Sequence, residues 1–293
     1  MKESRNPEEE AQGRTNTEKR RFSWHIKGCL SVCSVIPAAL LLFIMLTGDA
    51  VAYERIVVLY ASASPIIREL GAGGKVVGVT RTDHTFKGAK PVGSHLRPNI
   101  ELIKSLQPDL IVAGSKRAFP DELRKAIGVD VFHYDPRTLD EIITRILQLG
   151  KTLGKDREAE VLVGRLNAKL KRIKPVKKRP RVIYEVMYRP LKVAGAKSIV
   201  ASIIERAGGL NLVRTGKKHV SISPERILKD PPDIYIYQVG PMNKNPIPPR
   251  ERSYFHGLKS RFLKVDEYEF AWPGLNVFDA VIELNGIFRE VMR

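Results

Sequence analysis

The chain has 293 residues, enough for two modest domains that each bury an apolar core. Fifty Lys and Arg residues outnumber 32 Asp and Glu residues, so the formal net charge is +18, which attracts anions or serves solubility alone. Both cysteines, Cys29 and Cys33, lie near the N-terminus, so the chain after residue 52 has no disulfide and no thiolate chemistry, which excludes cysteine hydrolases and zinc ribbons.

The first 52 residues have the order of an export signal. A charged segment containing Lys19-Arg20-Arg21 precedes an apolar run over 29–46, and Ala50-Val51-Ala52 follows as a small-x-small cleavage pattern. We expect residues 1–52 to be a signal peptide, with export and a mature chain that begins at Tyr53. The alternative is an uncleaved membrane anchor, because the apolar run is nearly long enough to span a bilayer.

A βαβ unit of a parallel sheet follows the predicted cleavage site. Residues 55–60 form an apolar strand, residues 66–70 a short helix with Ser64 as its predicted cap, and residues 76–79 a second strand. Small residues at the turn between strand and helix let a ligand approach free backbone amides. Ser62 and Ser64 are therefore candidate ligand contacts, although any tight turn needs small residues.

The polar loops after the second strand carry the next candidates. Arg81, Asp83, His84, His95 and Arg97 follow a strand at its carboxyl end, where open α/β sheets bind ligands. Two histidines and a carboxylate can ligate a metal, and two arginines can hold a carboxylate or phosphate. The alternative interpretation is an exposed loop of solvated side chains.

Two segments repeat the same pattern in the two halves of the chain. Asn99–Gly114 reads NIELIKSLQPDLIVAG and Ser223–Gln238 reads SPERILKDPPDIYIYQ. Each predicts a helix capped by Asn99 or Ser223, a Pro-Asp turn and a buried strand. A repeated unit of this kind predicts a protein of two similar lobes.

Helical patterns link the two halves. We predict a helix over 119–127, a strand over 130–134, and a helix from the capping box Thr138-x-x-Glu141 to about residue 153. Residues 156–173 then form a helix that reaches roughly 25 Å, a stiff connector. The basic cluster over 169–181 is a helix end and linker; no nucleic-acid motif accompanies it, so we expect no nucleic-acid partner.

The second half predicts another α/β lobe. Strands are expected over 181–186 and 265–270, helices over 198–207 and 276–292, and loops over 187–191 and 240–252. The predicted division is residues 53–153 for the first lobe, 154–175 for the interdomain helix and 176–293 for the second lobe.

The order of these motifs resembles the periplasmic binding proteins of cobalamin, haem and ferric-siderophore ABC importers. The resemblance covers nearly all of 55–293 and rests on the spacing of PNIELIKSLQPDLIV, the linking helix, IERAGGLNLV, SPERILKDPPDIYIY and WPGLNVFDAVIEL. It implies an α/β fold of class III, with two Rossmann-like lobes joined by one long rigid interdomain helix. It also implies a monomeric, non-enzymatic receptor in the periplasm or on the outer face of the cytoplasmic membrane, without an intrinsic cofactor. Its partners would be a permease and its ATPase.

In that family the ligand contacts come from loops at strand ends facing the cleft. The corresponding candidates here are Ser62, Ser64, Arg81, Asp83, His84, His95, Arg97, Tyr188, Arg189, Gln238 and Trp272. Tyr188 beside Arg189 suits an anionic metal chelate, and Trp272 either stacks on a flat macrocycle or serves packing. We expect a ferric siderophore, haem or cobalamin, and loss of binding in Arg81→Ala and Arg189→Ala variants.

The resemblance also implies that a glutamate on each lobe meets arginines of the permease. Glu225 matches the second-lobe position, and it also complements a helix N-terminus. Glu122 is the nearest match in the first lobe, although Lys116-Arg117 can occupy that place instead. Glu101 fits only the helix-dipole role.

Three other functions remain open from the sequence. A free Zn or Mn receptor would use His84, His95 and an acid, with His219 or His256 as the available histidines of the second lobe. A tetrapyrrole chelatase-like enzyme would need a general base, for which His84 and Asp83 are the candidates. An anchored sensor domain would be favoured if the cleavage pattern stayed uncut.

Overall fold

Five parallel strands form the first sheet of the computed structural model, which describes residues 53–293. The predicted signal or anchor, residues 1–52, lies outside the described residues. The strands are β1 (Ile56–Val58), β2 (Val76–Val79), β3 (Lys90–Pro91), β4 (Leu110–Ala113) and β5 (Asp130–His133), in the order β3-β2-β1-β4-β5. Both faces of the sheet are covered, which explains the continuous apolar runs of β1 and β4.

Three short helices pack on this sheet: α1 (Ser64–Glu69), α2 (Ile100–Ser105) and α3 (Asp121–Ile127). Asn99 caps α2 as predicted, because its side chain accepts the amide of Leu102 at 3.0 Å. Ser64 was wrongly predicted as a cap: it is the first residue of α1, and Ala63 occupies the capping position. The third helix begins two residues later than predicted, because Pro120 is extended at its cap.

The second sheet has six strands and is mixed. They are β6 (Arg181–Met187), β7 (Lys192–Ala194), β8 (Leu210–Asn211), β9 (His219–Ser221), β10 (Ile234–Val239) and β11 (Arg261–Asp266). Along the order β11-β10-β6-β7-β9 the pairs β6–β7 and β7–β9 are antiparallel, and the short β8 also pairs with β6. The strands β7 and β9 were not predicted from the sequence, because each has only three residues and is held by pairing with neighbouring strands and not by an apolar pattern of its own.

The helices of the second sheet are α6 (Ile199–Arg206), α7 (Pro224–Lys229), α8 (Glu267–Phe270) and α9 (Val277–Val291), and they follow α4 (Leu139–Thr152) and α5 (Asp156–Leu170) along the chain. The predicted strand over 265–270 is wrong. The Asp266 carboxylate accepts the amide of Tyr268 at 2.7 Å, which ends β11 and starts α8. Ser223 lies at the cap of α7 but its side chain makes no capping bond.

The aspartate of the repeated Pro-Asp turn accepts backbone hydrogen bonds at the same place in both sheets. Asp109 accepts the amides of residues 54 and 55 at 2.6 and 3.0 Å, next to the start of β1. Asp233 accepts the amide of Arg181, the first residue of β6, at 2.7 Å. Each aspartate therefore ties the strand that follows it to the first strand of its own sheet.

Helix α5 is bonded to both halves of the molecule. Its 15 residues span about 22 Å, and it ends three residues earlier than predicted. Arg165 reaches Glu69 of α1 at 2.5 Å, and Lys169 reaches Asp279 of α9 at 2.7 Å. We call the first sheet with α1–α3 the first lobe, and the second sheet with α6–α9 the second lobe.

One apolar core runs through both lobes. Ile56 and Val58 of β1 and Val182 and Tyr184 of β6 belong to the same buried cluster, together with α4, α5 and α9. Two smaller clusters cover the outer faces of the two sheets. Residues 53–293 therefore contain their own cores in one compact unit. Within them, no helix is both long and apolar enough to cross a membrane.

Candidate functional site

A cavity of about 220 Å³ lies between the lobes, at the carboxyl ends of strands from both sheets. Its first-lobe lining is Tyr60, Ala61, Ser62, Thr80, Thr82 and His95, and its second-lobe lining is Val186, Ser198, Ile199, Val200, Lys218, His219, Gln238, Pro241, Met242, Glu267, Ala271, Trp272 and Pro273. Crevices at this end of open α/β sheets are the usual ligand sites.

A larger depression, about 870 Å³, lies on the first lobe alone. It is open to solvent around Asp109 and Asp130, at the amino ends of β4 and β5. Its position at the opposite strand ends makes it the weaker candidate for a ligand site.

The two lobes touch directly beside the cavity. The Tyr134 hydroxyl donates to the carbonyl of Pro273 at 2.9 Å, and Tyr134 is fully buried. Gly274 approaches the backbone of Ser62 so closely that a Cβ on it would lie 3.0 Å from the Ser62 carbonyl oxygen. These contacts fix the relative position of the cavity walls.

Four of the eleven ligand residues predicted from sequence line this cavity: Ser62, His95, Gln238 and Trp272. The other seven do not line it: Ser64, Arg81, Asp83, His84, Arg97, Tyr188 and Arg189.

Ser64 and Asp83 are engaged with each other beneath the surface. The Ser64 hydroxyl donates to the Asp83 carboxylate, whose other oxygen accepts the amide of Thr85 at 2.9 Å. Both side chains are buried, so they fix the turn after β2. Arg81 and His84 of the same loop are exposed.

The Tyr188 ring and the Arg189 guanidinium lie side by side, but Tyr188 packs on Arg252 and neither residue lines the cavity. The Arg189 guanidinium is 4.8 Å from the centre of the Tyr188 ring and donates to its hydroxyl at 3.0 Å. The same ring covers the guanidinium of Arg252 at 4.1 Å. This aromatic residue therefore packs on the loop over 240–252, outside the cavity lining.

Arg252 is part of a buried polar network that sequence analysis missed. Its guanidinium makes two bonds to the Glu185 carboxylate, at 2.5 and 2.8 Å, and its Nε donates to the carbonyl of Ile247 at 2.8 Å. The Tyr235 hydroxyl donates to Glu185 at 2.6 Å. Because both charged side chains are almost fully buried, the network anchors the loop that carries Pro241 and Met242 to the cavity.

Two buried polar atoms on the cavity wall have no hydrogen-bond partner among residues 53–293: Oγ1 of Thr80 and Oε1 of Gln238. The Gln238 amide nitrogen is used, since it donates to the carbonyl of Val186 at 3.0 Å. A buried polar group without a partner costs about 1–3 kcal/mol. These atoms are therefore suited to a ligand that supplies the missing bonds.

Imidazoles from opposite lobes line the cavity. Burial, together with the charges of Lys218, Lys192 and Arg137, lowers the pKa of His219 to about 4. Desolvation and the charge of Lys218 also lower the pKa of His95. Both rings are therefore neutral at pH 7, the form in which imidazole donates a lone pair to a metal.

Two ionisable side chains of the second lobe line the cavity, Lys218 and Glu267. Desolvation lowers the pKa of Lys218, whereas the charge of Asp135 from the first lobe opposes that shift. Burial raises the pKa of Glu267, against hydrogen bonds from the Met242 amide and the Trp272 side chain. The cavity thus offers both a cation and a carboxyl group to a ligand.

Aromatic rings form the remaining walls. Tyr60 meets His95 edge-on with ring centres 6.3 Å apart, and burial raises the pKa of Tyr60 to about 12. Trp272 packs on Tyr268 at 4.5 Å while still facing the cavity. The walls can therefore stack on the flat faces of a ligand.

The ligand residues predicted from sequence do not include the lining residues Tyr60, Thr80, Lys218 and Glu267. His219 is predicted only as a possible metal ligand. Tyr60 is the last residue of one predicted strand and Thr80 directly follows the next, so their places at strand ends are a usable signal. Lys218 and His219 depend on the unpredicted strand β9 and carried no such signal.

The predicted docking glutamates are both exposed. Glu225 lies in the first turn of α7 and Glu122 in the first turn of α3. A backbone amide and the Ser223 hydroxyl lower the pKa of Glu225. Both side chains are therefore accessible to a cationic partner.

The fold and the cavity define a two-lobed α/β solute-binding protein. The model of the periplasmic binding protein family matches residues 56–247, about two thirds of the sequence, and the chain belongs to that family. Its members are binding proteins, and membership implies an extracytoplasmic location.

Relatives and a solved structure agree with this assignment. A vitamin B12-binding protein of Yersinia pseudotuberculosis is 25% identical over 208 residues, 68% of this chain and 74% of that protein. The high-affinity heme uptake system protein IsdE of Staphylococcus aureus is 27% identical over 173 residues, 56% of this chain and 58% of that protein. A possible iron-binding, periplasmic solute-binding protein of Staphylococcus epidermidis superposes with a TM-score of 0.68 at 25% identity, covering 80% of this chain and 98% of that one. The class III fold and the capture of a solute for an ABC importer follow from these likenesses.

Proposed function

We propose that this protein captures a metal chelate in the cavity between its lobes and delivers it to the permease and ATPase of an ABC importer. The observation that carries the proposal is the cavity itself, where buried Thr80 and Gln238 keep polar atoms without partners. It lies at the strand ends where ligands bind in such sheets. The protein would act outside the cytoplasm, in the periplasm or at the outer face of the membrane.

The chemistry of the walls favours a chelated metal over a bare ion. Zinc usually needs three or four protein ligands that converge on one point. The cavity supplies two neutral imidazoles, His95 and His219, from opposite lobes, and among residues 53–293 no three metal-binding side chains form a group. A metal that brings its own chelator needs only one or two further ligands, which an imidazole can provide.

A flat anionic chelate would also match the rest of the cavity. Tyr60 and Trp272 offer aromatic surfaces, and Lys218 offers a cation for a carboxylate or another anionic group. Haem, a corrinoid and a ferric siderophore are the candidate cargoes. Haem and vitamin B12 are in the names of the two relatives, which supports a tetrapyrrole or corrinoid.

The size of the cavity implies that such a cargo is only partly enclosed. Pockets for small ligands usually measure about 300–1,000 Å³, whereas this cavity measures about 220 Å³. Met242, which lines the cavity, is 40% exposed, and Leu96, the residue after His95 of the lining, is 65% exposed. We propose that these apolar side chains contact the part of the cargo that protrudes.

Docking on the permease is assigned to the exposed carboxylates of Glu225 and Glu122. Reversing both charges, Glu225→Lys with Glu122→Lys, should reduce uptake by cells while leaving the affinity of the purified receptor for cargo unchanged. A variant pair that transports normally would remove these residues from the docking surface.

The cargo can be identified by thermal melting of residues 53–293 against cobalamin, haemin, several ferric siderophores, Zn²⁺ and Mn²⁺. A ligand at a hundredfold over its Kd stabilises the fold by about 2.7 kcal/mol, a shift of about 5–10 °C for a chain of this size. A shift with one chelate and none with bare ions is expected. A shift with bare Zn²⁺ or Mn²⁺ alone would overturn the choice of cargo.

Matched variants then locate the site. His219→Gln and Trp272→Ala should weaken cargo binding at least about tenfold, because both side chains line the cavity. Arg81→Ala and Arg189→Ala test the prediction from sequence that these two arginines bind the cargo. Neither side chain lines the cavity, so cargo bound there should keep its affinity in both variants. If only the arginine variants lost affinity, the cargo would bind outside this cavity.

A further inference from the structure

An exposed basic segment leads from α5 to the second sheet. Its ends are neutralised by ion pairs, Lys169 with Asp279 and Arg181 with Asp230. Six exposed cations lie between these pairs, and Arg179 is the one whose side chain bonds to a backbone carbonyl. The other five are Lys171, Arg172, Lys174, Lys177 and Lys178. No carboxylate of residues 53–293 lies within ion-pairing distance of these five, and residues 169–181 include no acidic residue.

This segment is held on the body of the protein. Asn285, which is buried, accepts the amide of Lys174 at 3.0 Å and donates to its carbonyl at 2.8 Å. Val176 packs so closely on Gly208 that a Cβ there would lie 2.7 Å from a Val176 methyl carbon. Arg179 donates to the carbonyl of Gly209. The five cations therefore form a fixed surface, which we call the basic strip.

The basic strip lies away from the cavity. It runs into Arg181, the amino end of β6, whereas the cavity lies at the carboxyl ends of the strands. The described chain also begins at the amino end of its own sheet, where the Tyr53 hydroxyl donates to Asp130, the first residue of β5, at 2.9 Å. The apolar run over 29–46 thus precedes a part of the fold that is likewise remote from the cavity.

We propose that the basic strip binds the surface of an anionic phospholipid bilayer. The five cations match a surface of phosphate headgroups, and an extracytoplasmic receptor works beside such a surface. Each Lys or Arg near an anionic bilayer strengthens binding about fivefold, so three of them together raise it about a hundredfold and all five about three-thousandfold. Bound in this way, the protein turns its cavity away from the bilayer and toward incoming cargo, so it would have to leave the bilayer surface before its cavity could meet a permease.

Sedimentation with vesicles tests the proposal on residues 53–293. One vesicle contains phosphatidylcholine only, and the other contains about a third phosphatidylglycerol, both in about 0.15 M salt. The test variant carries Lys171→Gln, Arg172→Gln, Lys174→Gln, Lys177→Gln and Lys178→Gln. A control variant of equal net charge carries Lys87→Gln, Lys90→Gln, Lys116→Gln, Arg117→Gln and Lys125→Gln, all exposed on the first lobe.

The wild type and the control variant should bind the anionic vesicles, and the test variant should bind them at least about a hundredfold less. Equal loss in both variants would show that net charge alone acts, and would overturn the proposal. Equal binding of the wild type to neutral vesicles would also overturn it, as would binding to duplex DNA without binding to anionic vesicles. Unchanged melting temperatures and cargo shifts in the variants show that the fold is intact, so this test stands apart from that of the cargo.

Discussion

The buried pair of Glu185 and Arg252 should be among the most sensitive points of the fold. In Arg252→Met the two bonds to Glu185 disappear, and a carboxylate that is 0% exposed keeps only the Tyr235 hydroxyl as partner. Removing one member of a buried pair costs about 3–5 kcal/mol, because the other charge stays buried without compensation. For a chain of this size the melting temperature should fall by about 10 °C.

The double variant Glu185→Gln with Arg252→Met separates the charge from the packing. The introduced amide can still accept from Tyr235 and leaves no buried charge, so at least about 2 kcal/mol should be recovered relative to Arg252→Met alone. Urea unfolding at pH 7 of the wild type, both single variants and the double variant gives the coupling free energy. If the single variant Arg252→Met loses less than about 1 kcal/mol, or the two changes simply add, the pair does not anchor the loop over 240–252.

Three further outcomes follow from the structure. The stabilising contribution of neutral His219 is complete above about pH 6.5 and decreases as the pH falls toward its folded pKa of about 4. On acidification the free energy of unfolding of the wild type should therefore fall by at most about 3 kcal/mol more than that of His219→Asn. Equal pH dependence of the two proteins in chemical denaturation would contradict this. Asp109→Ala should cost about 2 kcal/mol in urea unfolding, because two backbone amides lose their acceptor; an unchanged midpoint would mean that water replaces it. Gly240→Ala places a Cβ 2.4 Å from that of Glu267, so it should weaken cargo binding, whereas Gly257→Ala, with open space around it, should not; equal affinities would exclude Glu267 from the site.

The parts of the fold that sequence predicted are those set by local patterns. The strands β1, β2, β4 and β10 are continuous apolar runs, and Asn99 caps α2 through its own side chain. The repeated Pro-Asp turn indicated two lobes because each copy has one local function. These features need no knowledge of distant residues.

The candidate site was less predictable because it depends on hydrogen bonds, strand pairing and ion pairs between residues that are far apart in the sequence. Asp83 looks like a ligand residue in sequence, yet Ser64, nineteen positions earlier, takes its carboxylate. His219 faces the cavity because β9 pairs with β7, and both strands are too short to predict. Nothing in the sequence around Arg252 distinguishes it from an exposed arginine, because its burial depends on the ion pair with Glu185, 67 positions earlier.

The contacts that join the lobes have a consequence for how occupancy is recognised. The lobes share one apolar core, and Tyr134 and Gly274 hold the cavity walls against each other. A receptor with walls fixed in this way spends little free energy on closing around its cargo, and it presents nearly the same outline when empty as when full. The transporter would then distinguish the two states by touching the protruding cargo itself. Selectivity of uptake would thus reside in a surface composed jointly of protein and cargo.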